Sequence, residues 1–420
     1  MWAVIDANSY FCSVERVFHP GLRHKPVCVL SSNDGNIVAL TPEAKALGIK
    51  RGDPYFKVRS IIEANHVATF SGNIMLYAAM SRRIVSIMRS SLSSCIQYSI
   101  DECFADLSGY GAHHDLVQLM RETSDRIRLW TDVPVSVGIA PSKTLAKVGS
   151  RFAKKYPGYR SVCMIDNDGK RRKALSMTDL QDIWGIGHRT YARLMSLGIT
   201  TPLQFADKDI HWVRSHFTKP GLQTWMELNG QSCIDVTDDS ERKTITTSRS
   251  FGQMVTTTHE LREAVASFAS GCANTLRGQQ SVAENVSVFL CSNPFREDLP
   301  QYMNMSTARL GTPTADTLEI TQAALALTGE LFMPGIHYKK AGVILGGISS
   351  GAVQQNLFDS IHNRPERLSL SRAVDSMNRK YGVKSVHLAI EGDRSESWRV
   401  RCDMCSPNYL TSLDELLSID

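Results

Sequence analysis

The stretch Tyr98-Ser99-Ile100-Asp101-Glu102-Cys103-Phe104-Ala105-Asp106-Leu107 (YSIDECFADL) sets two carboxylates side by side in an otherwise apolar, strand-like run. In a plain strand neighbouring side chains point to opposite faces, so one of the pair would face a core. A lone buried carboxylate is costly unless a cation or hydrogen bonds compensate it. At a hairpin tip both acids converge on one point, where a hard divalent cation fits. An exposed turn with two solvated acids suits the segment equally well, so a third carboxylate has to decide.

Working outward, "CIQYSI" and "CFADLSG" flank the Asp-Glu pair as a hairpin, while "YAAMSRRIVSIMRSSL" and "HDLVQLMRETSDRIRLW" carry apolar residues at helical spacing. "WAVI" at the start and "PVSVGIA" beyond the second helix are strands. The order strand, helix, hairpin, helix, strand predicts a ferredoxin-like sheet with helices on one face. A small αβ insert at about 20–74 interrupts it, with strands "PVCVL" and "GNIVAL" and a helix, "TPEAKALGI". Pro42 suits that helix's first turn and Gly48 its C-cap. Asp6 ends the first strand, and in this topology the central strands are neighbours. Asp6, Asp101 and Glu102 are therefore expected to meet at one sheet edge. Three carboxylates suit two Mg²⁺ ions about 3.5–4 Å apart, with substrate phosphates completing their shells.

The chain of 420 residues is long enough for several domains, and 42% hydrophobic with 21% charged residues is the composition of an ordinary folded protein. No apolar run reaches the ~18–20 residues of a membrane span, and "MWAVIDANSYF" lacks the basic region of a signal peptide. Ten cysteines without a repeating framework fit reduced thiols in the cytosol, and Cys402-x-x-Cys405 reads as two thiols rather than a zinc site. Net charge is only +5, yet Pro141 to Thr200 holds twelve Lys/Arg against four Asp/Glu. Such a block points to a polyanion partner, with a solvated helix face as the bland alternative.

Within that block, "GIAPSKT" ends like a phosphate-binding loop, but Ser142 stands where the loop needs glycine, which excludes a P-loop NTPase. "DLQDIWGIGHRTYARLMSLGI" is different: two apolar helical faces flank Gly185-Ile186-Gly187, next to His188 and Arg189. A helix-hairpin-helix of this kind binds a DNA phosphate through backbone N–H groups without reading sequence. Further on, "ERKTITTSRSFG" marks a linker into a strand near 243, followed by a helix ("ELREAVASFASGCANTLRGQ") and strands "NVSVFLCS", "STARLG" and "KAGVILGGI". The last seventy residues have weaker periodicity and read as a partly ordered tail.

Taken together, "VIDANSYFCSVE", "EAKALGIKRGDP", "YSIDE", "VSVGIAPSKTLAK", "DIWGIG", "SRSFG" and "QNLFD" resemble, in family order over almost the whole chain, the Y-family (lesion-bypass) DNA polymerases. The likeness is closest to the bacterial UmuC type with its plasmid-borne MucB relatives. It implies an α+β, multidomain right-hand polymerase: a ferredoxin-like palm at 1–19 and 75–165, and small fingers at 20–74. A helical thumb with the helix-hairpin-helix at 166–232, an α/β little finger at 243–348 and a C-terminal region at 349–420 complete it. By the same resemblance Asp6, Asp101 and Glu102 bind two Mg²⁺ ions, with the Ala7 carbonyl as a further ligand and Glu102 catalytic. Phe11 is the steric gate against a ribose 2′-hydroxyl. Lys45 and Lys154 hold the incoming triphosphate, and Gly185, Gly187 and Arg189 bind DNA.

The family often has Arg at the position of Lys45 and Tyr at that of Pro42, and frequently Asp and Ala at those of Asn8 and Cys103. Gln355, Leu357 and Phe358 of "QNLFD" resemble a sliding-clamp peptide, two adjacent apolar anchors for an apolar pocket. Beyond it the family meets a UmuD′-type accessory dimer and the RecA filament. The implied substrates are primer-template DNA and dNTPs, and the implied setting is the SOS response of a bacterial cytoplasm, at the nucleoid. Some fifty-five residues of fingers cannot close tightly on a nascent base pair, so low fidelity and lesion bypass go together. A nucleotide cyclase would share the acidic palm but has no use for the other elements. A dead scaffold has no use for three carboxylates.

Overall fold

The structure, a computed structural model, describes residues 1–237, 242–350, 361, 363–382, 384–392 and 398–416. The clamp-like stretch Gln355–Asp359 lies outside the described residues. The chain divides into two compact units: 1–31, 35–238 and 403–420 form one, and 32–34 with 239–402 the other.

In the first unit β1 (Trp2–Ala7) leads through α1 (Tyr10–Phe18) into β2 (Val27–Leu30), β3 (Ile37–Leu40), α2 (Pro42–Ala46), α3 (Tyr55–Ala64) and β4 (Ala68–Ser71). Then come α4 (Ile74–Ser91), β5 (Cys95–Gln97), β6 (Glu102–Asp106), α5 (Leu116–Thr131), β7 (Val135–Ala140), α6 (Lys143–Lys155) and β8 (Val162–Met164). Five helices follow, α7 (Asp168–Ser176), α8 (His188–Ser196), α9 (Pro202–Ala206), α10 (Ile210–His216) and α11 (Lys219–Leu228). The main sheet has the order β5-β6-β1-β7-β8, and β1 runs antiparallel to both β6 and β7, which is the ferredoxin-like arrangement. A separate three-stranded sheet, β3-β2-β4, belongs to the insert.

Helices do not keep to one face of the main sheet, as the element order had suggested. Ala3, Ile5, Cys103 and Ala105 pack beneath α1, α4 and α5, whereas Val4, Phe104 and Ala140 pack under α6 and the following helices. The apolar run of β1 is thus buried on both sides, as in a sheet covered by two layers. Gly138 permits this closeness: a Cβ there would lie 1.9 Å from the Ala146 carbonyl oxygen of α6. Ser142, which rules out a phosphate loop, instead caps α6 by accepting from the Leu145 N–H.

The second unit holds β9 (Ile245–Val255), α12 (Thr258–Gly278), β10 (Ser281–Ser292), β11 (Met303–Thr314), α13 (Thr317–Leu331) and β12 (Tyr338–Gly346). Its sheet order is β11-β10-β12-β9, all antiparallel, with α12 and α13 packed on the buried side chains. The linker strand begins at Ile245. α13 was not expected, since its apolar residues fall on several faces and give little helical contrast.

In the C-terminal stretch, read from the sequence as a partly ordered tail, the described residues include packed parts. α14 (Arg364–Tyr381) lies on the second unit through Arg277–Asp375, Arg367–Asp316 and Arg364–Glu319 ion pairs of 2.6–2.7 Å. Residues 403–416 return to the first unit, where Ser406 Oγ donates to Glu15 Oε1 (2.9 Å) and Tyr409 stacks on Phe18. Among the described residues no helix is long and apolar enough to cross a membrane.

Candidate active site at the end of the central strands

β1 and β6 place Asp6 directly opposite Glu102, and the Ala7 N–H donates to the Asp101 carbonyl at 2.9 Å. Position 6/102 is accordingly a non-hydrogen-bonded pair, the kind in which opposed side chains lie closest. Both carboxylates share the α6 face with Val4 and Phe104, because they differ from these by an even number of residues. Asp101 sits in the bend just before β6, where strand alternation no longer applies. Ser99 fixes that bend: its Oγ donates to Asp101 Oδ1 (2.6 Å) and accepts from the N–H groups of Asp101 (3.2 Å) and Glu102 (3.0 Å).

The site holds surplus negative charge. Asp6 is pushed up to about 6, chiefly by burial, with Lys154 pulling it down and the charges of Glu102 and Asp101 pushing it up. Lys147 Nζ donates to both oxygens of Glu102, at 3.0 and 2.9 Å, and Lys154 Nζ lies 3.6 Å from Asp6 Oδ1. Among the described residues the three acids do not close around one point as they stand. Two ammonium groups occupy positions on their oxygens that a cation would take. Hard oxygen donors, a carboxylate held above its ordinary range chiefly by burial and further by neighbouring acids, and lysines in place of a cation together make a donor set that fits Mg²⁺.

Phe11 lies on α1 near this edge, half-buried, its ring stacked on Tyr77 with centroids 4.4 Å apart. Tyr77 is itself fixed by its O–H bond to Glu15 (2.7 Å), so the ring has a rigid backing. Lys45 is exposed in the last turn of α2 and meets none of the three acids among the described residues. In the helical segment, Gly185 has φ +95°, and a Cβ there would lie 2.4 Å from Thr224 Oγ1. Gly187 N-caps α8 without a side chain, which leaves the first-turn N–H groups open beside exposed Arg189.

Two participants escaped the sequence: Ser99 and Lys147. Lys147, Arg151 and Lys154 fall at i, i+4 and i+7 on α6, one helical face, and that spacing was the available signal. Arg151 pairs with Asp182 rather than with the strand-end acids.

Residues 5–151 match the impB/mucB/samB family and 242–357 its C-terminal domain; 369–419 match a domain of unknown function (DUF4113). Protein UmuC of Salmonella typhimurium is 37% identical over 422 residues, covering 100% of both chains. Protein MucB of Escherichia coli is 39% identical over 412 residues, 98% of this chain and 97% of the relative. More distantly, DNA polymerase IV of Moorella thermoacetica is 28% identical over 402 residues, 92% of this chain and 94% of the relative. Among solved structures, a Y-family DNA polymerase chimera superposes with a TM-score of 0.65 at 21% identity, over 84% of this chain and 100% of the other. DinB from Sulfolobus solfataricus does so at 0.52 and 22%, again over 84% and 100%.

Proposed function

Since the chain belongs to the impB/mucB/samB family of UmuC-type Y-family DNA polymerases, we propose that it is an error-prone translesion enzyme. It adds dNTPs to a primer opposite damaged template, in the SOS response, as the catalytic subunit of a UmuD′2C-like complex. The observation that carries this is Asp6 opposite Glu102, with Asp101 beside them, at a strand end where lysines stand against the carboxylates.

Asp6, Asp101 and Glu102, with the Ala7 carbonyl, are the ligands for two Mg²⁺ ions. Bound there, the ions supply a lowered pKa for the primer hydroxyl and charge stabilisation for the leaving phosphate. Every other part is done by the chain. Ser99 fixes the bend that aims Asp101. Lys154, released from Asp6, has the reach and charge to meet the triphosphate, and Lys45 approaches from the fingers. Phe11, backed by Tyr77, fills the space under the sugar where a 2′-hydroxyl would sit. Gly185 and Gly187, with Arg189, grip a DNA phosphate at the α8 N-terminus.

The domain limits expected from the sequence carry over here: palm 1–19 and 75–165, fingers 20–74, thumb 166–232 and little finger 243–348. The partners proposed by resemblance are the sliding clamp through Gln355, Leu357 and Phe358, the UmuD′-like dimer and the RecA filament. The setting proposed is the bacterial cytoplasm.

The test is primer extension with Mg²⁺ on plain and abasic templates, with and without accessory proteins. Asp101→Ala should abolish extension on both while DNA binding stays near wild type; undiminished synthesis by that variant would overturn the assignment.

A further inference from the structure

Glu102 is already neutralised, and the group that does it is housed deliberately. Lys147 Nζ bonds both Glu102 oxygens and lies 4.9 Å from the Tyr98 ring centroid, 5.2 Å from Trp184 and 5.9 Å from Phe104. Three aromatic rings around one ammonium form a cation–π cage, which stabilises the charge where it has left bulk water. The Lys147 and Glu102 side chains keep only 18% and 21% exposure. The cage is built from two parts of the chain. Tyr98 and Phe104 flank the Asp-Glu pair, whereas Trp184 immediately precedes the Gly185-Ile186-Gly187 turn, and its Nε1–H donates to Tyr98 O–H at 3.2 Å. The wall of the cage and the proposed DNA-gripping turn are therefore consecutive residues.

We propose that Lys147 is a positioning residue, an internal cation that holds Glu102 until DNA engages the Trp184–Gly187 turn and then yields the carboxylate to the metal. This rests on the metal-ligand role given above to Glu102. The ammonium takes a lone pair on each carboxylate oxygen and sets its positive charge against an incoming divalent ion, so the ion binds Glu102 more tightly once the ammonium has moved away. A grip that shifts Trp184 weakens the cage and lowers the cost of that displacement. Metal affinity and DNA affinity then become coupled, and by reciprocity each raises the other. In the absence of DNA the same device keeps Glu102 oriented.

The experiment is equilibrium titration with Mn²⁺, read as free ion by electron paramagnetic resonance, on the full chain with and without primer-template DNA. Wild type should bind Mn²⁺ about tenfold more tightly when DNA is present, within the ordinary range of coupling between sites. Lys147→Met keeps the aliphatic stem and removes the charge. It should bind Mn²⁺ about as tightly without DNA as wild type does with it, and DNA should then add little. Lys147→Arg should retain the DNA dependence, and Trp184→Leu should lose part of it. Unchanged or weaker Mn²⁺ binding by a folded Lys147→Met, with the DNA effect intact, would overturn the proposal. Asp101→Ala separates this from the underlying site: if that variant binds Mn²⁺ like wild type, the metal site itself is misassigned and the latch falls with it.

Discussion

Acid–base pairs occur in two regions of this molecule and serve opposite ends. At the strand ends of the first unit, Lys147 meets Glu102 at 2.9 Å and Lys154 stands 3.6 Å from Asp6, with side chains 18–42% exposed. On the second unit, Arg277 binds Asp375 by two parallel bonds of 2.6 and 2.7 Å, Asn274 adds a third of 2.7 Å, and the ionic side chains are only 6% and 13% exposed. The direction of the shift separates Asp6 from Asp375. Asp6 is raised because burial and neighbouring acids outweigh Lys154. Burial alone would raise Asp375 too, but bonds and charge from Arg277, with Asn274, carry it below its ordinary range. A carboxylate left above its range beside other acids is set to receive another cation. One held below is already satisfied and works as structure. The difference teaches where to look for chemistry among many ion pairs.

Replacing one carboxylate by its amide in each region should break this comparison or bear it out. Glu102→Gln should cut primer extension by about 10³-fold or more, the loss of several kcal/mol of charge stabilisation, without lowering the melting temperature measured in EDTA. If activity survives, the strand-end pairs are merely structural. Asp375→Asn should do the reverse, leaving Arg277 buried without its counter-charge at a cost on the order of 3 kcal/mol. Limited proteolysis should then cut within 364–381, and hydrogen exchange there should rise. Equal protection in both proteins would mean that α14 is held by something other than its ion pairs. Phe11→Ala sharpens the comparison by altering the site without touching a charge. It should raise ribonucleotide incorporation on the order of 10–100-fold, since only shape rejection is lost, and leave DNA binding unchanged.

The same contrast explains how far the chain could be read unaided. Strands β1, β6 and β7 show as apolar runs, and Asp6, Asp101 and Glu102 stand out because acids at the ends of such runs are costly without a purpose. Lys147 does not stand out, since its partner depends on how closely α6 crosses the sheet, a distance set by Gly138 and not by local pattern. Val4 and Phe104 pointing into a second core layer were equally hidden, which is why helices were expected on one face only. α14 escaped notice for a different reason. Leu370, Val374, Met377 and Tyr381 do fall at helical spacing, but among its described residues only Ser371 is fully buried, and Leu370 and Tyr381 are 59% and 68% exposed, so that stripe faces no core. Docking by arginine and acidic partners leaves no trace in hydrophobic periodicity.

The two carboxylates should also give opposite pH slopes in metal-free protein, and this is the smallest effect expected. Asp6 is raised from 3.8 to about 6 in the fold, so the folded state binds its proton more tightly than the unfolded chain does. Its contribution to stability is therefore fully present below about pH 4 and lost as the pH rises through about 6. A shift of this size corresponds to at most about 3 kcal/mol, and partial exposure brings the expected value to roughly 1–2 kcal/mol. Asp375 is lowered, so its contribution is present above the ordinary carboxylate range and lost as pH falls below it. In EDTA at pH 7.5, Asp6→Asn should raise the melting temperature of the first unit and flatten its decline between about pH 4 and pH 7. Asp375→Asn should instead flatten the acid side of the second unit's profile. Mg²⁺ decides what the first slope means. If added Mg²⁺ restores wild-type stability at pH 7.5 but not that of Asp6→Asn, the raised carboxylate is a cation ligand. If Mg²⁺ acts on both alike, it is only a buried acid that the lysines leave incompletely compensated.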